Sequence, residues 1–185
     1  FATNILNRNP KDVVDACISE VNGKRMKTLA PWIEEFKGTF TRDLENPKTW
    51  KISGSYQIIN TNTVKITAIP PNYTYERYEE ILNLLQEKGI ITSYDDNSSE
   101  TIEYVLKFRR SILKDLISKD RLERALRLNT QETENLTTID ENGELKIFNK
   151  AEEIVKHFVS VRLGWYQTRK DYLINKTEKQ LALVT

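Results

Sequence analysis

Apolar residues recur at helical spacing in some stretches of the chain and alternate with polar ones in others, and this pattern predicts most of its elements. Val13, Val14, Cys17, Ile18 and Val21 line one side of a helix over 10–21. Asn9 is placed to cap it, Pro10 suits its first position and Asn22-Gly23 ends it. Strands are predicted over 36–42, 49–59 and 63–69. In the last, Val64, Ile66 and Ala68 alternate with polar neighbours, and Asn60-Thr61-Asn62 makes the turn before it. Pro70-Pro71 closes this block, because proline cannot donate to a ladder. Thr74 caps a second helix over 75–87, which buries Tyr78, Ile81, Leu82 and Leu85 and stops at Gly89.

Strands follow over 90–94 and 101–109. In the second, Ile102, Tyr104, Leu106 and Phe108 share one face, and Glu103, Lys107 and Arg109 the other. Residues 112–127 read as helical with a break near Ser118. Residues 136–140 and 144–148 read as a hairpin with the Asn142-Gly143 signal of a type I′ turn. From Asn149 to about residue 183 the pattern is one long helix, roughly 50 Å at 1.5 Å per residue. Ala151, Ile154, Phe158, Val161, Trp165 and Tyr172 take heptad-like positions in it, with Thr168 the polar exception. The fold class is therefore α+β: a largely antiparallel sheet with flanking helices, then a long C-terminal helix that projects as a stalk.

Composition adds boundaries to this picture. At 185 residues, 38% hydrophobic and 30% charged, the chain can fold as one domain or two small ones around a real core. No apolar run approaches the ~18 residues of a membrane span, and no signal peptide is present, so no membrane partner is expected. The first residue is Phe1, which suggests a piece of a longer protein. A single cysteine, Cys17, excludes an internal disulfide and fits a reducing, intracellular compartment; its helical setting makes it a packing residue. Sequons begin at Asn72, Asn97, Asn135 and Asn175, as an Asn- and Thr-rich chain produces by chance.

Candidate chemistry is sparse. His157 is the sole histidine, too few for a His-rich zinc site, and it lies beside the heptad line as a boundary residue. None of the six glycines falls in a G-x-G-x-x-G or P-loop pattern. Asp95-Asp96 lie in an Asn/Ser-rich solvated loop, and the acidic turn at 140–144 lacks the spacing of a calcium loop. The charge map says more. The net charge is only +1, but Lys24, Arg25, Lys27, Lys37 and Arg42 gather in 22–42, and eight Lys/Arg residues in 105–127, among them Arg109, Arg110 and Lys114. Acidic residues gather instead in 65–104 and 131–144. Such segregation makes either a basic face for phosphate or the solvated side of amphipathic helices, and the sequence leaves both open.

Three stretches resemble the DNA-breakage subunit of type IIA DNA topoisomerases. Phe1-Ala2-Thr3-Asn4-Ile5, with Asn9-Pro10 and the helix after it, looks like the segment that leaves the DNA gate. Pro31-Trp32-Ile33-Glu34-Glu35-Phe36-Lys37-Gly38-Thr39 resembles the lead-in to the family's tower domain. Val64-Lys65-Ile66-Thr67-Ala68-Ile69-Pro70 follows it like the family's strand-to-proline motif. Val161-Arg162-Leu163-Gly164-Trp165-Tyr166-Gln167-Thr168-Arg169-Lys170 resembles the start of its coiled-coil arm. These blocks occur in the family's order across almost the whole chain. The second and third look closer to the eukaryotic enzyme than to gyrase, and the composition suits a T-even-type phage medium subunit.

The resemblance implies an organisation: 1–22 leaves the gate with a connecting helix, 23–149 is the tower, and 150–185 begins the coiled-coil arm. It implies that the nucleophilic tyrosine and its arginine lie upstream, on a winged helix. Tyr56, Tyr73, Tyr75, Tyr78, Tyr94, Tyr104, Tyr166 and Tyr172 are then packing residues, and no catalytic or metal-binding residue is expected here. Mg2+ and ATP would serve the holoenzyme alone. The implied partners are duplex DNA, a second copy of the same polypeptide, and the ATPase and metal-binding parts of the enzyme. The setting would be host cytoplasm for a phage, or nucleus for a eukaryote. Thr3 and Asn4 would lie nearest the gate, Lys24, Arg25, Lys27 and Lys37 at the tower lead-in, with Arg109, Arg110 and Lys114 as further DNA contacts. Two other classes compete with this noncatalytic DNA support: a coiled-coil interaction module without DNA binding, and an acid–base hydrolase on Asp95 and Asp96.

Overall fold

Helix α1 (Pro10–Val21) starts where the cap residues dictate: Asn9 Oδ1 accepts from the Lys11 amide at 2.9 Å and proline occupies the first turn. It ends at Gly23, whose φ of 63° lets the chain reverse, with the Lys24 amide reaching back to the Ser19 carbonyl. The computed structural model describes residues 2–184, with Val184 by its backbone alone, so Phe1 of the gate-exit stretch lies outside the described residues. The chain forms two units, one comprising the residues up to Pro31 and from Asn135 onward, the other Trp32–Glu134.

The second unit holds two antiparallel sheets. Strands β1 (Thr39–Arg42), β2 (Thr49–Ser53) and β7 (Asn129–Thr133) form one, in the order β1-β2-β7. Strands β3 (Ser55–Asn60), β4 (Thr63–Ala68), β5 (Ser93–Asp96) and β6 (Tyr104–Lys107) form the other, in the order β3-β4-β6-β5. The single strand expected over 49–59 is thus two strands in different sheets, divided at Gly54. A Cβ there would stand 2.4 Å from the Ala68 carbonyl oxygen, and the Gly54 amide donates to the Leu128 carbonyl at 2.8 Å.

Strand β7 was not predicted, because Asn-Thr-Gln-Glu-Thr carries no apolar residue. It forms because β2 offers it a full antiparallel register, Thr49↔Thr133 to Ser53↔Asn129. At its end the Trp50 indole N–H donates to the buried Glu134 carboxylate at 2.8 Å. The expected strands 36–42, 90–94 and 101–109 are shorter or displaced, narrowing to β1, β5 and β6.

Helix α2 (Tyr75–Glu87) is capped by Thr74 and stopped at Gly89, φ 68°, as the sequence indicates. The predicted 112–127 helix is α3 (Arg110–Ser118) and α4 (Leu122–Ala125), parted where Asp120 takes a φ of 51°. α2, α3, α4 and the four-stranded sheet bury one core that includes Val64, Ile66, Tyr78, Leu82, Tyr104, Leu106, Leu113 and Leu126. Tyr78 and Tyr104 are inside it, whereas Tyr75, Tyr166 and Tyr172 are exposed, so packing does not account for every tyrosine.

The first unit is built on α1 and α5 (Ala151–Val184). Its cluster joins Ala16 and Leu29 to Ala151, Val155 and Val159, with Val13, Cys17 and Met26 alongside. Val14, Ile18 and Val21, expected on the buried face of α1, are exposed. In α5 the buried line is spaced by four residues, not by the heptad line: Phe158 is 56% and Trp165 59% exposed, and from Arg162 onward every described side chain is exposed. The hairpin β8 (Thr137–Ile139) and β9 (Leu145–Ile147) is present, but its turn is not type I′. That turn needs left-handed backbone at both central residues, and only Gly143, φ 82°, adopts it. Asp140 Oδ1 fixes the loop by accepting from the amides of Asn142 and Glu144, both at 2.9 Å. Among the described residues no helix is long and apolar enough to cross a membrane.

Candidate nucleic-acid interface

The N-terminal segment is stitched down at two points in the first unit. Asn4 and Asn135 exchange backbone hydrogen bonds at 3.1 and 2.8 Å, the Thr3 hydroxyl donates to the Asn135 carbonyl at 3.0 Å, and Asn135 Nδ2 donates to the Ala2 carbonyl at 2.7 Å. Further on, Arg8 forms a bridge with Pro31, and its guanidinium donates to the carbonyls of Leu29 at 2.8 Å and Leu6 at 2.6 Å. Charge-assisted bonds of this kind are stronger than neutral ones, so Arg8 fixes the loop that returns from α1. Sequence reasoning passed over Arg8 and read Asn135 only as a chance sequon, since both work through backbone carbonyls that no side-chain pattern reveals.

That loop carries Lys24, Arg25 and Lys27, all exposed. Among the described residues none of the three forms an ion pair. The structure therefore places Thr3, Asn4, Lys24, Arg25 and Lys27 in one unit and leaves the three cations without an ion-pair partner. Free cations on a fixed backbone are what a phosphate contact requires.

The other basic residues singled out lie in the second unit. Lys37 lines a cleft of about 430 Å³ together with Glu34, Glu35 and Glu100, so acidic residues share its surroundings, although among the described residues none forms an ion pair with it. Glu35 is held there with φ 67°, a conformation costly for a residue with a Cβ. Arg42 is spread over the Trp50 ring, 4.8 Å from its centroid. Lys51 pairs with Asp43 at 3.1 Å, Lys65 with Glu103 at 2.5 Å and Lys119 with Asp115 at 2.7 Å. Arg109 precedes α3, and Arg110 and Lys114 lie on it; all three are exposed. The basic stretch 22–42 is thus divided between the two units, and Lys51, Lys65 and Lys119 are matched by carboxylates.

Among the described residues, no three or more His, Cys, Asp or Glu side chains are arranged to hold a metal ion. Asp95 and Asp96 are exposed on the outer strand β5, and Asp96 accepts from the Ser98 amide at 2.8 Å, a local turn contact. His157 sits between Glu141 Oε2 at 2.9 Å and Lys146 Nζ at 3.2 Å, joining the hairpin to α5.

Comparison with known proteins matches this architecture along its whole length. The sequence profile of the DNA gyrase/topoisomerase IV family, in its A-type subunits, matches residues 1–185. DNA topoisomerase 2 of Candida albicans is 31% identical over 191 residues, covering 100% of this chain and 13% of that protein. The DNA topoisomerase medium subunit of Enterobacteria phage T4 is 28% identical over 187 residues, covering 99% of this chain and 42% of its own. Among solved structures, the DNA-binding, cleavage and re-ligation domain of Plasmodium falciparum topoisomerase II superposes with a TM-score of 0.83 at 30% identity, over 97% of this chain and 25% of that one.

Proposed function

The chain belongs to the DNA gyrase/topoisomerase IV A-type family of type IIA DNA topoisomerases, and from that premise we propose that it is a noncatalytic tower segment of a longer, ATP-dependent topoisomerase. It supports the outward arms of the bent gate duplex and links the DNA gate to the coiled-coil arm that α5 begins. The observation that carries this reading is the fold likeness over 97% of the chain to a solved DNA-binding, cleavage and re-ligation domain. Lys24, Arg25 and Lys27 meet the phosphate backbone, with Thr3 and Asn4 nearest the gate.

Contacts of this sort release counterions without reading sequence. Bending 20–30 base pairs costs about 1–6 kcal/mol, and cationic supports on the flanking arms offset part of it. Strand cleavage and ATP hydrolysis, with their Mg2+, belong in this reading to other parts of the enzyme, as do the ATPase and metal-binding partners and the second copy of the polypeptide. None of the tyrosines here is the nucleophile.

A gel mobility-shift titration at about 50 mM salt with a duplex of about 30 base pairs tests the proposal. We expect salt-sensitive binding that weakens when Lys24, Arg25 and Lys27 are all changed to Glu, and slower DNA relaxation by the parent enzyme carrying the same changes. Absence of binding at low salt, together with an unaffected parent enzyme, would sink the assignment.

A further inference from the structure

The four-stranded sheet has two unlike edges. β5, on one side, carries the exposed Asp95 and Asp96, and charge on an outer strand discourages the addition of another. β3, on the other, reads Ser-Tyr-Gln-Ile-Ile-Asn, with no charge and no proline, and pairs only with β4. Ile58 is 48% and Ile59 54% exposed. The register between β3 and β4 shifts between Ser55 and Tyr56 and again between Ile58 and Asn60, so regular pairing capacity on the outer side lies in 56–58.

Beside this edge a groove of about 620 Å³ opens towards α3. Its apolar lining is Ile58, Leu113 and Ile117, and its only charged lining residues are Arg110 and Lys114. Among the described residues neither cation has an ion-pair partner. An apolar trough with unneutralised cations beside an open strand edge has the features of an extended-peptide site. Main-chain bonds give the affinity, and alternate side chains enter the groove.

We propose that the β3 edge and the adjoining α3 groove bind an extended acidic peptide of a partner protein, one whose apolar side chains alternate with carboxylates. The apolar side chains enter between Ile58 and Ile117, the carboxylates meet Arg110 and Lys114, and the backbone pairs with the outward-facing amide and carbonyl groups of 56–58. Duplex DNA would satisfy the two cations but leave the apolar lining without a partner. This site is separate from the DNA-facing loop proposed above and does not depend on it.

The test uses the isotopically labelled chain and two acetylated, amidated hexapeptides, Glu-Val-Glu-Ile-Glu-Val and its counterpart with Lys for each Glu. The acidic probe is expected to shift the amides of 55–61 and 110–118 saturably, and the basic probe to bind at least about tenfold more weakly. Changing Arg110 and Lys114 together to Glu reverses that preference. Ile117→Asn, at a position already 43% exposed and so compatible with folding, weakens the acidic probe about tenfold. No saturable shift at about 1 mM, or equal binding of both probes, overturns the proposal. So does a short duplex DNA that shifts the same amides and is indifferent to Ile117→Asn, an outcome that assigns the cations to phosphate.

Discussion

Tyr78 and Tyr104 share one core, with ring centroids 5.7 Å apart, and differ in what their hydroxyls find. Tyr78 donates to the Leu126 carbonyl at 2.9 Å, whereas the buried Tyr104 hydroxyl has no partner among the described residues. Tyr78→Phe removes a satisfied bond and orphans a carbonyl, so it should cost about 1 kcal/mol. Tyr104→Phe removes only a desolvated hydroxyl and should be neutral or slightly stabilising. Urea midpoints with unchanged m-values check both. Burial, then the charges of Asp96 and Glu79, pushes the Tyr104 phenol up to about 12. A raised value means that the folded state favours the neutral phenol. Stability is complete below the ordinary value near 10 and is lost as pH rises through the folded one. Tyr104→Phe should therefore reduce the loss of stability between about pH 10 and 12, and an unchanged alkaline limb would refute this.

The hairpin and the long helix show where local signals suffice and where they do not. Asp140 accepts from two loop amides, which holds its carboxyl below its ordinary value of 3.8. That depression stabilises the loop above the ordinary value and is lost as pH falls through the folded one. Protection of the amides in 139–145, taken relative to their intrinsic exchange rates, should fall in acid, and Asp140→Ala should already have lost it at neutral pH. In α5, one helical face could in principle have packed through either of two lines. Ala151, Val155 and Val159 are the line in contact with α1 and Leu29. Val155→Ala should therefore cost about 1–2 kcal/mol in thermal unfolding, and Phe158→Ala less than about 0.5 kcal/mol. The heptad pattern was legible, but a pattern cannot say which of two adjacent apolar lines meets a partner.

At the scale of the whole molecule, charge placement decides the DNA reading. Each of Lys24→Ala, Arg25→Ala and Lys27→Ala should flatten the salt dependence of duplex binding by about 0.9 in log–log slope, equally for unrelated sequences. Lys37→Ala should change it less, because Glu34, Glu35 and Glu100 line the same cleft and oppose the approach of a phosphate. A larger effect at Lys37 than at the other three would relocate the interface. The order of motifs along the chain was enough to point to the family. It could not separate these lysines, whose neighbours come from distant parts of the sequence.

Caps, breakers and side-chain periodicity determined α1, α2, β4 and the extent of α5, since each of those signals acts between residues a few positions apart. Only the tertiary structure decided the rest. It divided 49–60 between two sheets at Gly54, where the Ala68 carbonyl and the Leu128 side chain leave no room for a Cβ. It made a strand of the wholly polar 129–133, because β2 supplied the ladder. It split the basic stretch 22–42 after Pro31, leaving Lys24, Arg25 and Lys27 unpaired in one unit and Lys37 in the other, in a cleft that Glu34, Glu35 and Glu100 also line. These outcomes depend on contacts between residues remote in sequence, and a charge or a strand acquires its role only when such a contact forms.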